Sequence, residues 1–200
     1  SEVAAAAMAL DYVRLTQRGA LPRLARPVPR GAAGLLQMDA ATRRSLEILR
    51  PARDGAKDPA SRGGAKDCLL GAVDRTVTAA GARLLAARLA SPLAEAAPIA
   101  ARHDAVGVLV ADTALRGTLR ATLKGAPDMA RALARLSLDR FAPRDLAAIR
   151  YGLDRAARLA AALAAAPALP PLLGDAARAL VPEPDPSAEL AHALAGSLPA

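Results

Sequence analysis

An all-α fold is expected from this sequence, on three observations. Alanine fills over a quarter of the 200 residues, and the basic set is 24 Arg against 3 Lys. Ala and Arg both rank high as helix formers. Apolar residues recur at spacings of three and four, most clearly over residues 143–165. Strand-like alternation is nearly absent: Gly34 to Met38 is the one candidate, and it is too short to stand as a strand.

In chain order, residues 1–17 read as a helix carrying Met8, Leu10, Tyr12 and Leu15, and one cut from something larger. Pro22, Pro27 and Pro29 with Gly19 and Gly31 forbid a regular helix over 18–31, which reads as a basic extended linker. Asp39 is an N-cap, so a helix over about 40–49 is expected. Pro51 to Lys66 is polar and rich in Gly and Pro, a surface loop. Helical signals return at Leu69, Leu70 and Val73, and Thr78 caps the helix that carries Leu84, Leu85 and Leu89 and stops before Pro92. Over Pro98 to Val110 the spacing puts Ile99, His103, Val106 and Val110 on one inward stripe. Asp112 or Thr113 caps a helix through Leu115, Leu119 and Leu123. Gly125-Ala126-Pro127 breaks it, with Pro127 placed for the first turn of a helix carrying Met129, Leu133 and Leu136 on toward Phe141. Pro143 then opens the longest helix, about 143–165, with Leu146, Ile149, Leu153, Ala156, Ala160 and Leu163 on a narrow stripe suited to another long helix. Two short pieces follow, at 172–180 and 187–194, around the stiff Pro182-Glu183-Pro184-Asp185-Pro186 connector.

Composition limits the chemistry. The net charge is +8, from 27 basic and 19 acidic residues, which suits nucleic acid or an anionic surface. The spread of Arg along the chain equally fits the solvated faces of helices. Tyr12, Phe141 and Tyr151 are the only aromatics, too few to form the stacking platforms of a single-strand binder. Cys68 stands alone, which rules out an internal disulfide framework and reads as a small buried apolar residue. No run of 18 apolar residues is present, and Ser1 to Leu10 lacks the basic start of a signal peptide. Gly63-Gly64-Ala65-Lys66 is not a phosphate loop, because Asp67 stands where Ser or Thr would hold magnesium. His103 and His192 have no metal-ligand spacing, and neither a G-x-S-x-G elbow nor a dinucleotide fingerprint occurs. No catalytic, cofactor-binding or metal-ligating residue is therefore expected here.

Two segments go beyond composition. Met38-Asp39-Ala40-Ala41-Thr42-Arg43-Arg44-Ser45-Leu46-Glu47-Ile48 closely resembles the D-A-A-T-R-R-N-L-E-L segment of MutS mismatch-repair proteins, with Ser45 in the place of Asn. Leu70-Gly71-Ala72-Val73-Asp74-Arg75-Thr76-Val77-Thr78-Ala79-Ala80-Gly81-Ala82-Arg83-Leu84-Leu85, running on to Leu89-Ala90-Ser91-Pro92-Leu93, resembles that family's L-D-x-T-x-T-x-x-G-x-R-L-L-x-x-W-L-x-x-P-L signature. Arg88 stands where the family often has Trp. Arg102 to Val106, Leu123 to Asp128 and Leu138 to Leu146 follow in the family's order and spacing.

The resemblance implies a multi-helix core, or lever, domain over 34–200, ending near the point where a DNA clamp is inserted. It implies that residues 1–33 are the terminal helix of a connector domain and its linker. The residues it singles out, for structural or interdomain roles, are Asp39, Thr42, Arg43, Arg44, Asp74, Arg75, Thr76, Gly81, Arg83, Leu84, Leu85, Pro92 and Leu93. Asp39 reads first as a cap, Gly81 as a close-packing point between helices, and Arg43, Arg44, Arg75 and Arg83 as ion-pair or domain-contact residues. By the same resemblance the parent is a bacterial, cytoplasmic, nucleoid-associated homodimer that binds mismatched double-stranded DNA and hydrolyses ATP with magnesium. Its partners would include the other domains of the same chain and no membrane, with no cofactor held by this piece. A helix over 143–165 spans roughly 35 Å, enough to carry a shift between a nucleotide site and a clamp. The alternative is a stand-alone basic helical DNA-binding or scaffold protein without an ATPase.

Overall fold

The computed structural model describes residues 2–16, 34–52, 67–138 and 140–181. These residues are mostly helical, with no strand among them and one isolated bridge between Leu35 and Leu93. The elements are α1 (Glu2–Thr16), α2 (Ala40–Ser45), α3 (Leu69–Val73), α4 (Ala79–Ala90), α5 (Ala96–Ala111), α6 (Thr113–Leu123), α7 (Met129–Ser137), α8 (Pro143–Ala164) and α9 (Pro171–Ala179). The expected linker at 18–31, the Gly63-Gly64-Ala65-Lys66 stretch, the connector at 182–186 and the helix at 187–194 lie outside the described residues.

The chain divides into two compact units. One contains residues 1–31, 127–154 and 187–200, and the other 32–126 and 155–186. In the first, α7 buries Ala132 completely, and the first half of α8 buries Asp145 and Ile149. Asp128 caps α7 by accepting from the Arg131 N–H, so Pro127 precedes the cap rather than occupying the first turn. The helix ends at Ser137, short of Phe141, which is 44% exposed. Helix α1 turns Val3, Met8, Tyr12 and Leu15 to solvent.

In the second unit α5 lies against α6 and α9, and α3 against α4. Asp112 caps α6, its carboxylate accepting from the Leu115 N–H at 2.8 Å. Gly125, at φ +75, ends that segment in the left-handed region that glycine enters without a Cβ penalty. The second half of α8 buries Leu159, Ala160 and Leu163, each leucine stabilising by about 1.5–3 kcal/mol. Along the whole of α8 the expected stripe is the buried or half-buried one, with Ile149, Ala160 and Leu163 innermost.

Two elements differ from expectation. On α5 the buried residue is Ala105, and the inward face is Ile99, Arg102, Ala105 and Leu109. Val106 and Val110 are 57% and 63% exposed, and His103 is exposed beside them. The helix is apolar around most of its circumference, so spacing alone did not choose the face. Helix α2 ends at Ser45 rather than 49, because Glu47 takes φ +47 and turns the chain.

Candidate functional site

The two signature segments and the residues flanking them fold into one substructure, joined at two places. At one end the Leu36 N–H donates to the Pro92 carbonyl and the Ala94 N–H to the Gly34 carbonyl, both at 2.9 Å, around the Leu35–Leu93 bridge. Gly34 sits at φ +82 there, and the Glu95 carboxylate fills the space a side chain would need. At the other end the Leu69 N–H donates to the Glu47 carbonyl at 3.0 Å and the Leu70 N–H to the Ile48 carbonyl at 2.9 Å. These bonds satisfy donors at the start of α3, which has no side-chain cap. Ile48 and Cys68 are buried at this joint.

Each signature residue has a legible task or position. Asp39 accepts from the Thr42 N–H, which holds its carboxyl below the usual carboxylate range. Arg43 donates to the Met38 carbonyl at 3.2 Å across the start of the same helix. Asp74 accepts from both the Thr76 hydroxyl at 2.7 Å and the Thr76 N–H at 2.8 Å. That turn holds its carboxyl low as well, the hydroxyl first and the amide second. Arg75 donates to the Asp74 carbonyl, and its own carbonyl accepts from Arg120 of α6 at 2.9 Å. Thr78 caps α4 through the Gly81 N–H at 3.0 Å. A Cβ on Gly81 would lie 2.9 Å from that capping hydroxyl and near the Thr76 side chain. The glycine thus clears its own helix cap. Leu85 is half-buried, while Leu84 is 52% exposed, and Thr42, Arg44 and Arg83 also face solvent.

Other residues matter that sequence reasoning passed over. Glu47 is the hub of the first joint: its carbonyl takes Leu69 and its carboxylate takes the Ala52 N–H at 2.8 Å. Arginines close helix ends. Arg116 donates to the Leu109 and Val110 carbonyls at the end of α5, and Arg155 to the Thr122 and Lys124 carbonyls at the end of α6. Such bonds satisfy carbonyls that a helix terminus leaves free. In the other unit Asp145 is 2% exposed. It accepts from Arg135 Nε at 3.0 Å, from Arg135 Nη2, and from the Ala142 N–H at 2.9 Å. The Arg135 guanidinium, and after it the Ala142 amide, lower its pKa, and Asp145 in turn raises that of Arg135. A signal for Asp145 was present, since an acid at the third position after a helix start reaches back to the cap amide.

The chemistry of this set is hydrogen-bonded joinery and surface charge. Among the described residues no group of three or more His, Cys, Asp and Glu side chains is placed to hold a metal ion. No helix among them is long and apolar enough to cross a membrane.

The family described as MutS domain III matches residues 41–195. A protein named DNA mismatch repair protein MutS from Granulibacter bethesdensis is 50% identical over 200 residues, which is all of this chain and 20% of that relative. The protein of the same name from Azorhizobium caulinodans is 48% identical over 200 residues, again 20% of its length. That from Cereibacter sphaeroides strain ATCC 17025 is 50% identical over 169 residues, 84% of this chain and 18% of the relative. The chain thus spans about one fifth of the length of these relatives. With the family match running from α2 past α9, and the two signature segments hydrogen-bonded into one substructure, this chain belongs to the MutS family.

Proposed function

We propose that this chain is the helical core, or lever, portion of a MutS-type DNA mismatch-repair protein, and that it passes mechanical shifts between an ATPase and a DNA clamp. Residues 1–33 are, in this reading, the end of a connector domain and its linker, and residues 34–200 the first part of the core. The parent would bind mismatched double-stranded DNA and ATP with magnesium and act as a homodimer in the cytoplasm. This piece would hold no nucleotide and perform no chemistry.

The observation that carries the reading is the near-50% identity to proteins named DNA mismatch repair protein MutS along all 200 residues. The structure adds a physical reason for the lever. Helix α8 is unbroken over its 22 residues, about 33 Å at 1.5 Å per residue. A continuous helix of that length is the kind of element that can carry such a shift.

The test is Ala156→Pro in the full-length protein. Proline removes one backbone donor and clashes with the preceding turn, costing about 3 kcal/mol within a helix. The expected outcome is retained binding to mismatched DNA with ATP-dependent release slowed at least about tenfold, which is about 1.4 kcal/mol on the barrier. Release at the unmodified rate, from a variant of normal helical content, would count against the lever.

A further inference from the structure

An open cleft of about 520 Å³ lies beside α2 and the turn that follows it. Arg43, Arg44 and Arg50 line it together with Ala40, Leu49 and Pro51. Three arginines share this one concavity. The side chains of Arg44 and Arg50 make no hydrogen bond or ion pair among the described residues, and the buried Nε–H of Arg43 has no acceptor among them. Among the described residues the carboxylates beside α2 are engaged elsewhere, Asp39 by the Thr42 N–H and Glu47 by the Ala52 N–H. Like charges held close repel. An oxyanion seated among the three relieves that repulsion.

The lining selects among oxyanions. A nucleic-acid backbone is a regularly charged polar rail, read by a track of basic groups. Here the guanidinium groups are interleaved with Ala40, Leu49 and Pro51, apolar surface that such a rail leaves wet. A protein segment carrying an Asp or Glu beside aliphatic side chains covers both kinds of surface, and arginine is enriched in protein interfaces of this make-up.

We propose that this cleft is the seat of an acidic, partly aliphatic protein segment from outside these 200 residues, its carboxylate between Arg43, Arg44 and Arg50 and its apolar neighbour against Leu49 and Pro51. This rests on reading the chain as one part of a longer protein.

The experiment uses the full-length protein with Arg44→Lys, and separately Arg50→Lys. Each places an amine in the cleft, which a water-soluble carbodiimide couples to any touching carboxylate, and the coupled peptides are read by mass spectrometry. The expected result is an isopeptide from position 44 or 50 to an Asp or Glu outside residues 1–200. Coupling confined to acids within residues 1–200, or none while other Lys–acid pairs in the same sample couple, overturns the proposal. In parallel, the Arg44→Glu/Arg50→Glu double variant is expected to bind duplex DNA within about twofold of the unmodified protein with the same salt dependence. A slope of log affinity against log salt shallower by about two would make the cleft a phosphate contact and overturn the proposal. Mismatch preference of the unmodified full-length protein tests the parent reading on its own.

Discussion

Asp145 shows how one buried carboxylate organises a corner. It faces the Arg135 guanidinium and the Ala142 amide at once, so it ties the end of α7 to the start of α8. Both partners favour its ionised form, and its pKa in the folded chain lies below the ordinary carboxylate value. A group depressed in this way adds stability that is fully present above its unfolded pKa and is lost as pH falls through the folded one. Asp145→Asn is therefore expected to lower the denaturation midpoint at pH 7. The gap to the unmodified chain should begin to narrow as pH drops below about 4, where the unfolded chain takes up the proton first, and close as the folded carboxylate is itself protonated at lower pH. Midpoints at pH 7, 5 and 3 check this, and a gap that stays constant with pH would refute it.

At the scale of elements, α8 and α5 illustrate two ways a helix chooses its face. In α8, Gly152 is buried, and a methyl group there would run into the Met129 Sδ and Cγ. Helix propensity alone favours Gly152→Ala by about 1 kcal/mol, while overpacking a filled site costs about 1–3 kcal/mol. The substitution is expected to destabilise the chain, and in a Met129→Ala background to stabilise it by up to about 1 kcal/mol. Denaturant melts of the four proteins of this cycle decide it, the change of sign being the informative result. In α5, the exposed Val106 and the buried Ala105 invert the spacing argument. Val106→Gln should leave stability within about 0.5 kcal/mol, whereas Leu115→Ala on the adjoining α6 should cost about 2–5 kcal/mol. Thermal melts giving the reverse order would restore the original stripe.

Across the chain, what the sequence made readable was punctuation. Asp39, Thr78 and Asp112 all cap helices, and Pro143 opens the longest one, because caps and prolines act through local geometry that needs no tertiary partner. The family resemblance was readable too, from ordered residue patterns. The burial face of α5 was not, since a helix apolar around most of its circumference is weakly polarised. The joints were not either. The amide of Leu36 meeting Pro92, or of Leu69 meeting Glu47, is a backbone event that side-chain identity does not announce. The arginine-rich composition had two readings, solvated faces or polyanion binding, and the folded chain adds another. Arg116 and Arg155 spend their charge on helix-end carbonyls, while Arg44 and Arg50 line the cleft beside α2.

Glu47 has a consequence for how this segment tolerates mutation. Its backbone occupies the left-handed region at φ +47, and its carboxylate holds the Ala52 amide, so the position makes two demands that no small set of residues meets together. Single-base changes from a glutamate codon lead to Gln, Lys, Asp, Ala, Gly and Val. Glycine accepts the backbone and releases the amide. Glutamine keeps an acceptor and inherits the strain. Aspartate tolerates the backbone and is one carbon short, while branched valine is the worst fit to a positive φ. The genetic code thus surrounds this residue with compromises, and the turn that joins the two signature segments is a place where random substitution is most expected to do harm.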